Sequence, residues 1–191
     1  FQGNDGVFPA HSGSPTSYIA ANYNNTAGVG TISNWLISPP LVLGENTRLA
    51  FWTRVPTDSN YPDRLEVRLS TNGTSADTGS TATDVGDFTT LLLEINPTLA
   101  TGGYPEVWTR YELNITAEGT VRLAFRYFVT NAGPSGVNSD YIGIDTVEVG
   151  IPEVLIIQDQ DPWSYTSIQE VLTANGISYQ QVTSAQMAAV D

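Results

Sequence analysis

The sequence predicts a mainly β protein: a two-sheet antiparallel sandwich followed by a short C-terminal β-α-β segment. Three observations carry that expectation. Short apolar runs recur between clusters of Pro, Gly, Asn and Asp, the punctuation of an antiparallel sandwich. Several runs alternate apolar and polar residues with period two, as half-buried strands do. After residue 150 the pattern changes to a continuous apolar run, a helical repeat and one more strand.

In chain order, residues 1–32 are rich in Gly, Ser, Asn and Thr and hold one short strand pattern, 17–21. The stretch 33–54 carries strands at 35–37, 41–43 and 48–54, parted by Ser38-Pro39-Pro40 and Gly44-Glu45-Asn46. Two successive prolines offer no donors, so they mark a sheet edge or a bend between sheets. Residues 64–70 put Leu65, Val67 and Leu69 on one side and Arg64, Glu66, Arg68 and Ser70 on the other, a half-buried strand. The polar stretch 71–87 reads as a loop or an extended hairpin tip, and 88–95 as a strand stopped by Asn96-Pro97. Alternation then places Tyr111, Leu113 and Ile115 inside, followed by Val121, Leu123, Phe125, Tyr127 and Val129. The strand 141–149 closes the sandwich, with Ile142 and Ile144 on one face and Asp145, Val147 and Val149 on the other.

Residues 150–152 read as a linker and 154–157 as a strand buried on both faces. Asp161 or Ser164 is the expected cap of a helix through Ala174 that aligns Ile168, Val171 and Leu172, with Asn175-Gly176 as its stop. A strand at 177–182 follows, and Thr183 with Gln186 forms a capping box for a second helix. Two strands and one helix are too little to bury a core alone. The expected domains are therefore 1–149, a sandwich, and 153–191, an incomplete α/β segment. Opening on Phe1-Gln2-Gly3 without an initiator Met, the chain reads as a segment of something longer.

The formal net charge is −13, and cysteine and lysine are both absent; all seven basic residues are arginine. Such a balance argues against nucleic acid and anionic membrane as partners, and no apolar run is long enough to span a membrane. The arginines lie in predicted strands, mostly in the outward phase, where their stems cover sheet faces.

Residues 1–149 resemble a choice-of-anchor J domain, related to the cleaved-adhesin jelly rolls of bacterial surface proteins. The matching stretches are 12–22, Asn34-Trp35-Leu36-Ile37-Ser38-Pro39-Pro40, 61–70, Val85-Gly86-Asp87-Phe88, 122–127 and Asp140-Tyr141-Ile142-Gly143-Ile144-Asp145. The resemblance implies a jelly-roll topology. It departs at the start, where the family carries an earlier acidic-aromatic strand and a Gly-Trp pair, so one sheet is expected to have an open slot. Residues 153–191 are similar to the opening of flavodoxin-like or amidotransferase-like domains.

The candidate chemistry is sparse. A Ser-His-Asp triad would have to use His11, the one histidine, oriented by Asp5 or Asp145; the favoured reading is a loop histidine bonded to backbone. Covalent catalysis through Cys or Lys and a His/Cys zinc cluster are excluded by the counts. Calcium is the expected cofactor, because it takes hard oxygen ligands. The resemblance implies that it ties an N-terminal loop to the Ile-Asp of the last strand, where Asp145 stands. Asp5 and backbone or hydroxyl oxygens near Ser12 and Ser17 are the candidate partners that would complete the ligand set. The alternative is an Asp145 satisfied by Arg or backbone donors. Asp77, Asp84 and Asp87 read as a solvated acidic tip. Tyr61, Tyr104 and Trp108 are candidate sugar-stacking aromatics, and Asn24, Asn72 and Asn114 are glycosylation sequons.

The expected function is a non-catalytic extracellular adhesion or binding module of a larger secreted or cell-surface protein. Its partner would be a carbohydrate, a protein surface or copies of itself. One alternative is a self-assembling subunit of an extracellular filament or surface layer joined by strand addition. The other is an accessory domain of a secreted hydrolase.

Overall fold

The computed structural model describes the chain except residues 45, 152, 153, 161–165, 176, 178 and 188–191. Its strands are β1 (Ile19–Asn22), β2 (Gly30–Ile37), β3 (Leu41–Leu43), β4 (Thr47–Arg54), β5 (Leu65–Ser70), β6 (Thr90–Ile95), β7 (Thr109–Ile115), β8 (Gly119–Ala132) and β9 (Tyr141–Gly150). A C-terminal segment adds β10 (Val154–Ile157), α1 (Ser167–Ala174), β11 (Tyr179–Val182) and α2 (Ser184–Met187). Two antiparallel sheets, ordered β1-β9-β4-β7 and β2-β8-β5-β6, form the sandwich, and β3 also pairs with β8. The Ser38-Pro39-Pro40 break is therefore a bend along one partner, since β2 and β3 both lie against β8.

The core follows the alternation. Register pairs Leu65 with Tyr127, Val67 with Phe125 and Leu69 with Leu123, so six apolar side chains meet on one face of β5 and β8. Leu49, Phe51, Ile142 and Ile144 face them from the other sheet, and Phe51 meets Phe125 edge-on at 4.9 Å. Beside the core, a groove of about 190 Å³ opens between β1 and β2, with Leu65, Phe125 and Ile142 at its base. The first residues run along β1: Phe1 N–H donates to the Ala20 carbonyl and Ala20 N–H to that of Phe1.

Strand 64–70 is not half buried. Residues 71–89 cross the outer face of β5 and β8, and Phe88 is fully buried there beside Trp35, with ring centroids 5.4 Å apart. Arg126, expected to point outward, is only 1% exposed. Its guanidinium donates to Glu66 at 3.1 Å, to Ser33 Oγ at 3.0 Å and to the Ala82 carbonyl at 2.6 Å. It also lies 3.8 Å from the Phe128 ring centroid. A charge can be buried only when paired in this way, and the pairing fastens the loop to the sheet. The carboxylates expected at a solvated tip also cap separate turns of that loop, and Asp77, which accepts the Gly79 N–H, is exposed. Asp84 accepts from the Ser80 and Thr81 N–H groups, and Asp87 from Ser75 and Asn72. The Thr81 hydroxyl and these amides hold Asp84 below the usual carboxylate range, and Ser75 does the same for Asp87.

Strict alternation also fails in β9. Trp52 pairs with Asp145 but Ala50 with Glu148, so β9 carries an extra residue at the point where Thr146 has φ +48°. This bulge reverses the phase. Asp145 lies on the outer face, while Val149, opposite the core residue Leu49, packs inward.

In the C-terminal segment β10 and β11 pair in parallel. Thr183 and Gln186 make the expected reciprocal cap: Thr183 N–H donates to Gln186 Oε1 and Gln186 N–H to Thr183 Oγ1. Helix α1 starts at Ser167 behind Thr166; the anticipated caps Asp161 and Ser164, the linker residue Pro152 and the stop Gly176 lie outside the described residues. β10 is not covered on both faces, because Ile156 is buried while Leu155 and Ile157 are about half exposed. On α1 it is Gln169 that is buried, bonded to Gln181, while Ile168 and Val171 face outward. Arg48 of β4 ties this segment to the sandwich by donating to the Tyr179 carbonyl at 2.7 Å.

Candidate functional site

The outer face of the β1-β9-β4-β7 sheet carries the candidate residues, because the N-terminal loop folds over it. Phe8, Tyr18, Ala20 and Tyr141 form a second buried cluster there, with Trp108 against it. Tyr18 Oη donates to the carbonyls of Asn4 and Phe8 and pairs with Tyr141 Oη at 3.0 Å. Burial pushes the Tyr141 phenol up, so it stays a neutral donor. The loop can lie this close because β9 has Gly143 beneath it: a Cβ at that position would meet Phe8 at 2.8 Å and Trp108 at 2.9 Å.

Asp145 is the anchor of the loop. Its Oδ2 accepts the backbone N–H of His11 at 2.8 Å and of Ser12 at 3.1 Å, and its Oδ1 accepts that of Thr146 at 2.7 Å. Two of the four anticipated metal ligands, Asp145 and Ser12, thus meet, but through an amide. Ser17 bonds Ser14 at 2.5 Å, and Asp5 is exposed. Calcium needs about six to eight oxygens, whereas the donors drawn up to Asp145 here are N–H groups, which cannot ligate a cation. Among the described residues no group of three or more His, Asp or Glu side chains lies together. His11 is likewise not arranged as a triad base. Asp145 binds its backbone rather than its imidazole, the Nδ1 atom pairs with Thr146 Oγ1 at 3.0 Å, and the ring stacks on Trp52 at 3.8 Å.

The proposed stacking aromatics separate. Tyr61 is exposed, but Tyr104 is buried with its hydroxyl on Thr53, and Trp108 is half-buried with Nε1 donating to the Pro9 carbonyl. Asn24, Asn72 and Asn114 are all exposed, although the Asn72 amide is engaged by Asp87.

Two features escaped the sequence reading. The first is a cleft of about 560 Å³ between this sheet face and the C-terminal segment, lined by Arg48, Trp52, Arg110, Glu112 and Glu148 on one side and Thr173, Ile177, Tyr179 and Gln181 on the other. The available signal was Trp52 itself, an aromatic in the outward phase between Phe51 and Thr53, which are both fully buried. The second is Asp63, 1% exposed at the entrance to β5. Its Oδ1 accepts from Tyr127 Oη and from the Asp140 N–H, while Oδ2 has no partner among the described residues. Burial pushes this carboxyl up to about 7, against the pull of the Tyr127 and Asp140 hydrogen bonds.

The family described as the Cleaved Adhesin Domain matches residues 2–149. Among solved structures, the K1 cleaved adhesin domain of Lys-gingipain from Porphyromonas gingivalis W83 is similar, with 25% identity and a TM-score of 0.53 over 78% of this chain and 81% of that one. The K2 cleaved adhesin domain of Lys-gingipain is similar at 23% identity and a TM-score of 0.51, over 78% of this chain and 84% of that one, a likeness of fold. No curated protein is significantly similar to the chain.

Proposed function

The chain belongs to the cleaved adhesin domain family, and from that premise we propose that it is a non-catalytic adhesion module, displayed outside the cell as part of a larger secreted or surface protein. The observation that carries this is the family match over residues 2–149, which takes in the whole sandwich and the loops fastened across both of its outer faces. Such loops give a rigid body with large, pre-formed surfaces, which lowers the ordering cost of binding. Beads coated with the 191-residue chain should be retained on immobilised glycans or matrix proteins above uncoated beads, and equal retention overturns the proposal. Antibody against the sandwich should label intact cells of the native source.

We also propose that calcium binds at the loop anchor, with Asp145, Asp5, Ser12 and Ser17 as its ligands. A bound ion that stabilises the native state raises the melting temperature, and Asp145→Asn should abolish that response. Identical melting curves in saturating calcium and in chelator assign the loop anchor to amide donors alone.

A second reading, self-assembly, draws on the exposed Leu155, Ile157, Ile168 and Val171 of the C-terminal segment. Strand donation by β10 would require it to leave its own partner, β11. Sedimentation showing only monomer over a wide concentration range removes this reading.

A further inference from the structure

We propose that the cleft between the outer face of β4, β7 and β9 and the C-terminal segment binds a neutral saccharide, stacked on Trp52 and hydrogen-bonded by Arg48, Arg110, Glu112, Glu148 and Gln181. The proposal deepens the adhesion reading and rests on it for its biological sense. The cleft volume of about 560 Å³ suits a ligand of a few sugar rings. Trp52 supplies the flat apolar surface that the C–H face of a pyranose requires. It is fixed in advance, because His11 stacks on it at 3.8 Å while held to β9 through Thr146. Trp52 also lines the cleft. A pre-set aromatic surface loses little entropy on binding.

Charge decides the ligand class. Two arginines and two glutamates line the cleft, so their formal charges cancel although the chain carries −13. A cation or an anion would meet repulsion to match its attraction, whereas a neutral polyol meets donors and acceptors together. Glu112 holds Arg48 at 2.7 Å and Arg110 at 2.5 Å, which sets the planar groups in a row. A guanidinium has five N–H donors, and Arg110 uses one nitrogen on Glu112. Gln181 accepts from Gln169 through its oxygen, leaving its NH₂ group as a donor.

The test is calorimetric titration, with tryptophan fluorescence, of the intact chain against tetrasaccharides of glucose, galactose, mannose and xylose, a heparin tetrasaccharide and an unrelated peptide. At least one neutral tetrasaccharide should bind. Trp52→Ala should weaken it about tenfold or more while the far-UV spectrum and melting temperature are kept. Arg110→Gln, which keeps the Trp52 stack, should weaken it severalfold and serves if Trp52→Ala does not fold. Failure of every neutral tetrasaccharide at about 10 mM, undiminished binding by both variants, or binding of heparin or peptide alone overturns the proposal. Bead adhesion that survives Trp52→Ala overturns the cleft and leaves the adhesion module intact; absence of bead adhesion by the unaltered chain overturns the module, with the titration still deciding the cleft.

Discussion

Leu123 shows how a single apolar residue is committed by its position. It is 2% exposed, pairs with Leu69 across β5 and β8, and belongs to the sandwich core. Leu123→Ala should therefore cost about 2–5 kcal/mol, read as a lower urea midpoint at unchanged slope. Asp63 shows the opposite case, a polar group committed to the interior. Its folded value of about 7 lies above the unfolded value of about 4, so the native state holds the extra proton between them. The resulting stabilisation is fully present below about pH 4 and is lost as the pH rises through about 7. Relative to Asp63→Asn, which keeps an acceptor for Tyr127, the unaltered chain should lose stability across that window. A difference between the two proteins that does not change with pH contradicts this. Asp145→Ala removes the acceptor of three backbone N–H groups and should cost about 1–3 kcal/mol; amide exchange at His11 and Ser12 should accelerate while that at the β8 amides changes far less.

At the scale of elements, the two loops over the sheets do the work that a second layer would do elsewhere. The 71–89 loop is fastened by Phe88 against Trp35 and by Arg126, whose charge is balanced at Glu66. Arg126→Ala leaves the Glu66 carboxylate buried with Arg68 as its remaining partner, and the loss should be about 3–5 kcal/mol. Phe88→Ala should cost a similar amount and should open residues 71–89 to protease before the rest of the sandwich. Cleavage elsewhere first would contradict the fastening. The loop is long and polar in sequence, and its one anchoring phenylalanine lies at its end, so local pattern gives no sign that it turns back. The bulge in β9 is equally silent: one residue with φ +48° reverses the phase of a strand whose composition reads as regular.

Across the whole molecule, burial is uneven. The sandwich holds the continuous core, whereas among the described residues of the C-terminal segment Ile156 and Gln169 are the buried ones. Segments with few buried apolar contacts open at low free energy. Amides of β10 and β11 should therefore exchange well before those of β8, and simultaneous exchange would show that the segment is coupled to the sandwich more tightly than its burial indicates. A saccharide seated in the cleft would bridge the two parts and slow exchange in β11.

Most of the strands, the inward residues of β5 and β8, the strand-helix-strand order after residue 150 and the Thr183–Gln186 cap were legible in the sequence, because each depends on period-two alternation, turn residues or a three-residue spacing, which are local. The resemblance of residues 1–149 to cleaved-adhesin jelly rolls was legible for a related reason: its short motifs sit at strand ends and turns. What Asp145 bonds to, the burial of Arg126, the pairing of Tyr127 with Asp63 and the exposure of Ile168 were decided by tertiary structure alone. Each joins residues far apart in the chain, with His11 and Asp145 separated by 134 positions, and side-chain pattern encodes which face a residue prefers but not which distant loop will come to cover that face.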